Sequence, residues 1–446
     1  MAPRLSHVVL CGLCLVLAAA SATAAQRPLS RTAVYRQVSI LAELGRGLFF
    51  DRALSASGRL SCASCHDPAH AYGPPDDRAV EPGGTDMSKM GLRAVPSLKY
   101  VQAAPQFTEH YHDSDDDADA SVDNGPTGGL TWDGRVDRGR DQARLPLLSP
   151  IEMANDSPAS VVAKVKRSAS AELLRRAFGP KIFADDEKAF AGILQAFEAY
   201  EQRASEFYPY SSKYDSYLAG KAKLTDQETR GLGLFNDPAK GNCAHCHISA
   251  PGRNGTPPQF TDYGLAALGV PRNATIPANA DRDFYDLGLC GPLRTDLRDH
   301  GEYCGMFKSP SLRNTAMRRT FFHNGAFHSL KDVLRFYVER DTNPDKWYPH
   351  NAEGAVRKFD DLPLQYQANI NVEPPFDRHR GETPALSEAE MDDIIAFLQT
   401  LNDGYQPASP TGRRDNRRAD GASAAENRRR LRRGEPFAPH AAQRFD

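Results

Sequence analysis

Phe190, Ile193, Leu194, Phe197 and Tyr200 fall at the spacing of one face of an amphipathic helix. Met391, Ile394, Ile395, Leu398 and Leu401 repeat that pattern near the other end of the chain. They follow Ser387 and Glu390, whose spacing is that of a reciprocal capping box. A third apolar face holds Leu330, Val333, Leu334 and Tyr337, opened by Ser329 and Asp332 as another predicted capping box, and it turns Tyr337 inward. No stretch alternates apolar and polar residues well enough for a run of strands, so the expected fold class is mainly α.

An internal echo divides the chain. Gly45-Arg46-Gly47-Leu48-Phe49-Phe50-Asp51 returns as Gly231-Leu232-Gly233-Leu234-Phe235-Asn236-Asp237. Each segment reads as the end of a helix, the second opening on a capping box of Thr225 and Glu228. One supersecondary unit used twice predicts two domains in tandem, 26–205 and 206–405, with the helix around Met391 closing the second.

Composition adds boundaries rather than chemistry. A length of 446 residues suits two or three domains, and 40% hydrophobic with 25% charged residues is ordinary for a globular protein. A net charge of −2 gives no reason to expect a nucleic-acid partner. Residues 1–25 read as an export signal: Arg4, an apolar stretch from Val8 to Ala20, then Ala22-Thr23-Ala24-Ala25 as a cleavage site. The apolar stretch is short for a membrane span, and Cys11 and Cys14 would leave with it. The acidic run containing Asp113, Asp115, Asp116, Asp117 and Asp119 reads as a solvated loop, with a cation site or docking patch as the sharper alternative. Residues 406–446, with Arg428-Arg429-Arg430-Leu431-Arg432-Arg433, read as a disordered basic tail.

Each echo segment runs into the same cluster: Cys62-Ala63-Ser64-Cys65-His66, then Cys243-Ala244-His245-Cys246-His247. Two thiols at this spacing reach the two vinyl groups of one haem, and the adjacent imidazole becomes the iron's proximal ligand. Shuffling 8 cysteines and 13 histidines over this length would give about 0.004 such motifs by chance. Zinc is the alternative, but tetrahedral closure needs further Cys or His pairs that neither motif has nearby. The expected cofactors are therefore two covalently bound haem c groups. Cys290 and Cys304 remain, and in an oxidising compartment they predict a structural disulfide.

The stretch between the motifs carries a resemblance. Trp132-Asp133-Gly134-Arg135, Gln142-Ala143 and Pro150-Ile151-Glu152-Met153 resemble the bacterial diheme cytochrome c peroxidase and MauG family. So do Phe307-Lys308-Ser309-Pro310-Ser311-Leu312-Arg313-Asn314 and Phe322-His323-Asn324-Gly325, and the similarity runs from about Leu44 to Leu401. The resemblance implies a periplasmic enzyme that reduces hydrogen peroxide at the first haem. Electrons would come from a small donor protein, a cytochrome c or cupredoxin, and enter at the second haem. It places Gln142 and Glu152 on the distal side of the first haem and Trp132 between the haems. Taken alone, Glu152 after Pro150 also reads as a carboxylate at a helix start.

Axial ligands separate the subfamilies. In the loop 67–96 the only histidine is His70, close behind His66, while Met87 and Met90 are weaker candidates, so the first haem is expected to keep an open position as in MauG-like members. At the second haem, Tyr337 stands where peroxidases of the family have an axial Met and where MauG has Tyr; a core tyrosine, with Met306 or Met317 on the iron, is the alternative. The family's interdomain calcium is doubtful here. Ala94 replaces an Asn ligand, and Arg318 and Thr320 stand at the positions that give backbone carbonyls. Homodimers occur in the family. Two other functions stay open: a MauG-like oxidase acting on a protein partner, and a diheme electron carrier without substrate chemistry.

Overall fold

The architecture follows from the two helices that lead into the cysteine motifs. A computed structural model describes residues 30–112, 121–252 and 254–407, and those through Tyr405 form one compact unit. The expected leader with Cys11 and Cys14, the acidic run 113–120 and the tail from 408 lie outside the described residues. Among the described residues no helix is long and apolar enough to cross a membrane.

The first half contains α1 (Arg31–Phe49), α2 (Cys62–Cys65), α3 (Gly139–Leu148), α4 (Pro158–Lys166), α5 (Ala171–Phe178), α6 (Asp186–Glu201) and α7 (Ala204–Phe207). The second contains α8 (Lys213–Leu218), α9 (Asp226–Asn236), α10 (Leu330–Glu339) and α11 (Glu388–Gln399). Strand structure among the described residues is confined to two antiparallel pairs, Pro82–Gly83 with Lys89–Met90 and Leu265–Ala266 with Phe307–Lys308, besides isolated bridges. The fold is mainly α, as expected.

The echo in the sequence is an echo in space. α1 crosses α6 at Gly45, where an added Cβ would stand 1.9 Å from Ala196 O, and α9 crosses α11 at Gly231, where it would stand 2.0 Å from Asp393 O. Only a hydrogen fits at either crossing. One turn further on, Phe49 meets the Tyr200 ring edge-on at 5.3 Å, and Phe235 meets Phe397 in the same way at 5.2 Å. Each crossing anchors its own apolar core. Leu44, Phe49, Phe190, Ile193, Phe197 and Tyr200 join in one, and Phe235, Phe260, Met391, Ile394, Phe397 and Leu401 in the other. Each such side chain contributes about 1.5–3 kcal/mol of burial.

The predicted caps are mostly present. Thr225 and Glu228 form a reciprocal box (2.7 and 3.2 Å), as do Ser387 and Glu390 (2.8 and 3.3 Å). Ser329 differs: its hydroxyl accepts from the Asp332 peptide at 3.1 Å, but Asp332 does not return to the Ser329 peptide. That carboxylate instead accepts from the Ser329 hydroxyl at 2.7 Å and from Arg335 at 3.3 Å. Cys290 and Cys304 are joined in a disulfide, as predicted.

Candidate functional site: two motif loops around one cavity

Both motif histidines are held by the same main-chain device. His66 Nδ1 lies 3.1 Å from Tyr72 O, and His247 Nδ1 lies 2.9 Å from Phe260 O. Tyr72 and Phe260 adopt left-handed backbone (φ 55° and 54°), which turns each carbonyl back toward its imidazole. A second segment braces each loop. Ser97 Oγ donates to Ala71 O at 2.6 Å and Leu98 N to Tyr72 O at 3.2 Å, while Ser311 Oγ donates to Gln259 O at 2.7 Å and Leu312 N to Phe260 O at 3.2 Å. The braces are Pro96-Ser97-Leu98 and Pro310-Ser311-Leu312, a second internal repeat that went unread in the sequence. Their proline carbonyls also interact with the two imidazoles.

The loops therefore fix one ring nitrogen of each histidine and leave Nε2 for a metal. Burial lowers both imidazole pKa values, that of His66 to about 4, and so keeps the rings neutral. Cys62, Cys65, Cys243 and Cys246 lie beside them, and none of the four is in a disulfide. This donor set fits haem c. It does not fit zinc, since no group of three or more His, Cys, Asp or Glu able to hold a metal ion occurs among the described residues.

A continuous, largely apolar cavity contains Cys243, Cys246, His247 and Tyr337 at one part of its wall and Trp132 and Gln142 at another. Trp132 is pinned there. Its Nε1 donates to Ala94 O at 2.7 Å, and its carbonyl accepts from Lys308 N at 2.8 Å. Asp133, wholly buried, ties the loop down through Thr131 (2.6 Å), Arg93 (2.7 Å) and Arg135 (2.8 Å). Burial would raise its carboxyl, but Arg93 and Arg135 overcome that and hold it at about 2. Gln142 projects from α3, ahead of Pro146, which has no N–H to return to the Gln142 carbonyl.

Glu152 does not line this cavity. It lies in the turn after α3, with its N–H on Ser149 O (3.1 Å) and its carbonyl accepting from Gly84 N (2.8 Å). No helix begins there, which removes the helix-start reading. Glu152 is solvent-exposed as a residue, but its carboxyl lies near enough to the first motif to contribute to raising the Cys65 thiol, behind burial and Glu81. Burial pushes the Glu152 carboxyl above its usual range, opposed by the Ser149 hydroxyl and Arg135.

Sequence reasoning missed a second acid. Glu201, the last residue of α6, is buried on the cavity wall, influences Cys62, and is raised to about 8 by burial and then by Glu198. In the sequence it reads as the polar end of an amphipathic helix, and only its position three before α7 hints otherwise.

Tyr337 extends from α10 into the cavity that holds His247, its ring stacked between Phe322 (5.9 Å) and Phe376 (5.4 Å). Burial, with Cys246 and Cys243 behind it, raises its phenol well above the usual value. Neither Met306 nor Met317 lines that cavity, and Met90 packs instead against Ala79, Val80 and Ile276. His70 does reach the cavity wall, with Nδ1 bound to Asp67 at 2.8 Å.

Comparison with known proteins agrees with this geometry. Residues 40–223 match the family described as Di-haem cytochrome c peroxidase. The methylamine utilization protein MauG of Paracoccus denitrificans (strain Pd 1222) is 32% identical over 383 residues, covering 82% of this chain and 90% of that one. The chain belongs to the diheme cytochrome c peroxidase and MauG family. It is an oxidoreductase of the cytochrome-c peroxidase type, which sets aside the reading as a bare electron carrier. Cytochrome c551 peroxidase of Nitrosomonas europaea is 28% identical over 338 residues, covering 74% of this chain and 84% of the relative. Among solved structures, the diheme peroxidase BthA from Burkholderia thailandensis E264 superposes with a TM-score of 0.72 at 38% identity, covering 84% of this chain and 89% of that one.

Proposed function

We propose that this protein is a periplasmic diheme peroxidase that reduces hydrogen peroxide to water at the His66 site. Two electrons and two protons are consumed per peroxide, the electrons arriving from a small redox protein by way of the His247 site. Haem c, attached through Cys62 and Cys65 and through Cys243 and Cys246, supplies the redox chemistry at both places. The chain's own residues do the rest. Glu152, whose carboxyl burial raises above its usual range, would move a proton between the peroxide oxygens. Gln142, on the cavity wall, would orient the peroxide by hydrogen bonding. Trp132, fixed by Ala94 O, gives an oxidisable ring on the wall of the cavity that continues to His247. Tyr337 would hold the iron at the second site. In this reading 1–25 direct export, 26–205 carry the peroxide chemistry, and 206–405 receive electrons.

The asymmetry of the two sites carries this reading: an acid of raised pKa stands beside the first motif, and a tyrosine clamped between two phenylalanines stands beside the second. The test is Glu152→Gln in the holoenzyme. Both haems are retained and turnover with peroxide falls about 100- to 10,000-fold, the usual contribution of a general acid–base. Unchanged turnover would overturn the assignment.

A further inference from the structure

Arg318 lies where the strap 93–98 of the first half meets the second. Its Nη2 donates to Val95 O at 3.0 Å and its Nε to Thr320 O at 3.2 Å. Gly73 makes room for the remaining nitrogen, since a Cβ there would stand 3.3 Å from Arg318 Nη1. No carboxylate among the described residues offsets its charge. The strap it holds is densely engaged. Ala94 O accepts the Trp132 indole at 2.7 Å, Ala94 N donates to His323 O at 2.7 Å, and the Pro96 carbonyl interacts with His66. Arg93 ties the same strap to Asp286 (2.6 and 2.7 Å) and to Asp133 (2.7 Å).

The resemblance brings an interdomain calcium to this place, with Ala94, Arg318 and Thr320 at its ligand positions. The residues present do not fit the ion. Calcium takes six to eight oxygen ligands. Here Ala94 has no side-chain oxygen and its carbonyl holds an indole, while the Val95 and Thr320 carbonyls already accept from a guanidinium. A dication would also sit against a full positive charge with no anion between them.

We propose that Arg318 takes the place of a bound divalent cation, as the tie that positions the strap carrying the hydrogen-bond acceptors of Trp132 and His66. A guanidinium suits the task because its planar fork reaches two carbonyls at fixed angles and never loses its charge. Arg318 is a positioning residue and touches no substrate. Its positioning role rests on the peroxidase reading of Trp132 and His66; its independence of calcium does not.

The test uses the holoenzyme. After dialysis against a calcium chelator, metal analysis finds no stoichiometric calcium, and the ferric electron paramagnetic resonance spectrum and turnover match those of untreated protein. Added calcium leaves the melting temperature unchanged. Stoichiometric retained calcium, or a chelator-induced spectral change, would overturn the replacement. Arg318→Gln changes the ferric signal of the His66 site and lowers turnover about 10- to 100-fold, the usual effect of removing a group that orients a metal ligand. Arg318→Lys partly restores both. An Arg318→Gln protein with the wild-type spectrum and midpoint potentials would refute the positioning role. Should that variant not fold, the chelation arm decides on wild-type protein alone.

Discussion

The glycine crossings make a prediction whose sign depends on which glycine is changed. In Gly231→Ala the new Cβ would stand 2.0 Å from Asp393 O, 2.6 Å from its carbonyl carbon and 2.9 Å from Phe397 Cβ. Since real Cβ contacts stay beyond 3.0 Å, α9 and α11 must part by about 1 Å. The obstacle is backbone, so no rotamer change relieves it. Overpacking of this kind costs about 1–3 kcal/mol, and removing a helical glycine returns about 0.5–1 kcal/mol. The net loss is about 0–2.5 kcal/mol, or a fall of up to about 10 °C in the melting temperature of a half of this size. Gly233→Ala, two residues along the same helix, meets nothing within 4 Å and gains the helix-propensity term alone, so its melting temperature rises by about 1–4 °C. Thermal melts of the holoprotein, followed by circular dichroism at 222 nm, compare the pair directly. If both variants shift in the same direction, the close-crossing account of the echo is wrong.

Two further outcomes follow from the site. Tyr337→Phe removes the phenol oxygen while keeping the ring between Phe322 and Phe376, so one low-spin ferric signal gives way to a high-spin one and the midpoint potential of that site rises; an unchanged ferric spectrum would show that another group binds there. Asp133, lowered from 3.8 to about 2 despite its burial, contributes about 2 kcal/mol that is fully present above the unfolded value and is lost as pH falls through the folded one. Wild-type melting temperature should therefore drop between about pH 4 and pH 2 by more than that of Asp133→Asn, and parallel acid limbs would exclude the effect.

What the sequence revealed depends on whether the chemistry fixes a spacing. Covalent haem attachment demands Cys-x-x-Cys-His, so both motifs were readable, and helical burial demands its own period, so α6, α10 and α11 were too. Glu201 was not, because an acid at the end of an amphipathic helix looks solvated until α3 covers it, with Gly139 placed so that a Cβ there would lie 3.2 Å from Glu201 Oε2. The Pro-Ser-Leu braces escaped because a three-residue repeat is too short to stand out, although its serine hydroxyls and its leucine N–H groups do the bracing. Ser329 shows the limit of a local rule: the spacing was right, but Arg335 and the hydroxyl claimed the carboxylate that the cap required. Arg318 read only as a position giving a backbone carbonyl, whereas its long side chain doubles back onto Val95.

The strap 93–98 has a consequence for how such a protein tolerates change. Three successive carbonyls, those of Ala94, Val95 and Pro96, serve an indole, a guanidinium and an imidazole in that order. Because the acceptors belong to the peptide, methyl-sized substitutions at Ala94 or Val95 alter none of them. Loss or gain of a single residue would instead shift the phase of the whole series, handing each donor its neighbour's acceptor. At Ala94 and Val95 this stretch is permissive in its letters, and throughout it is strict in its length.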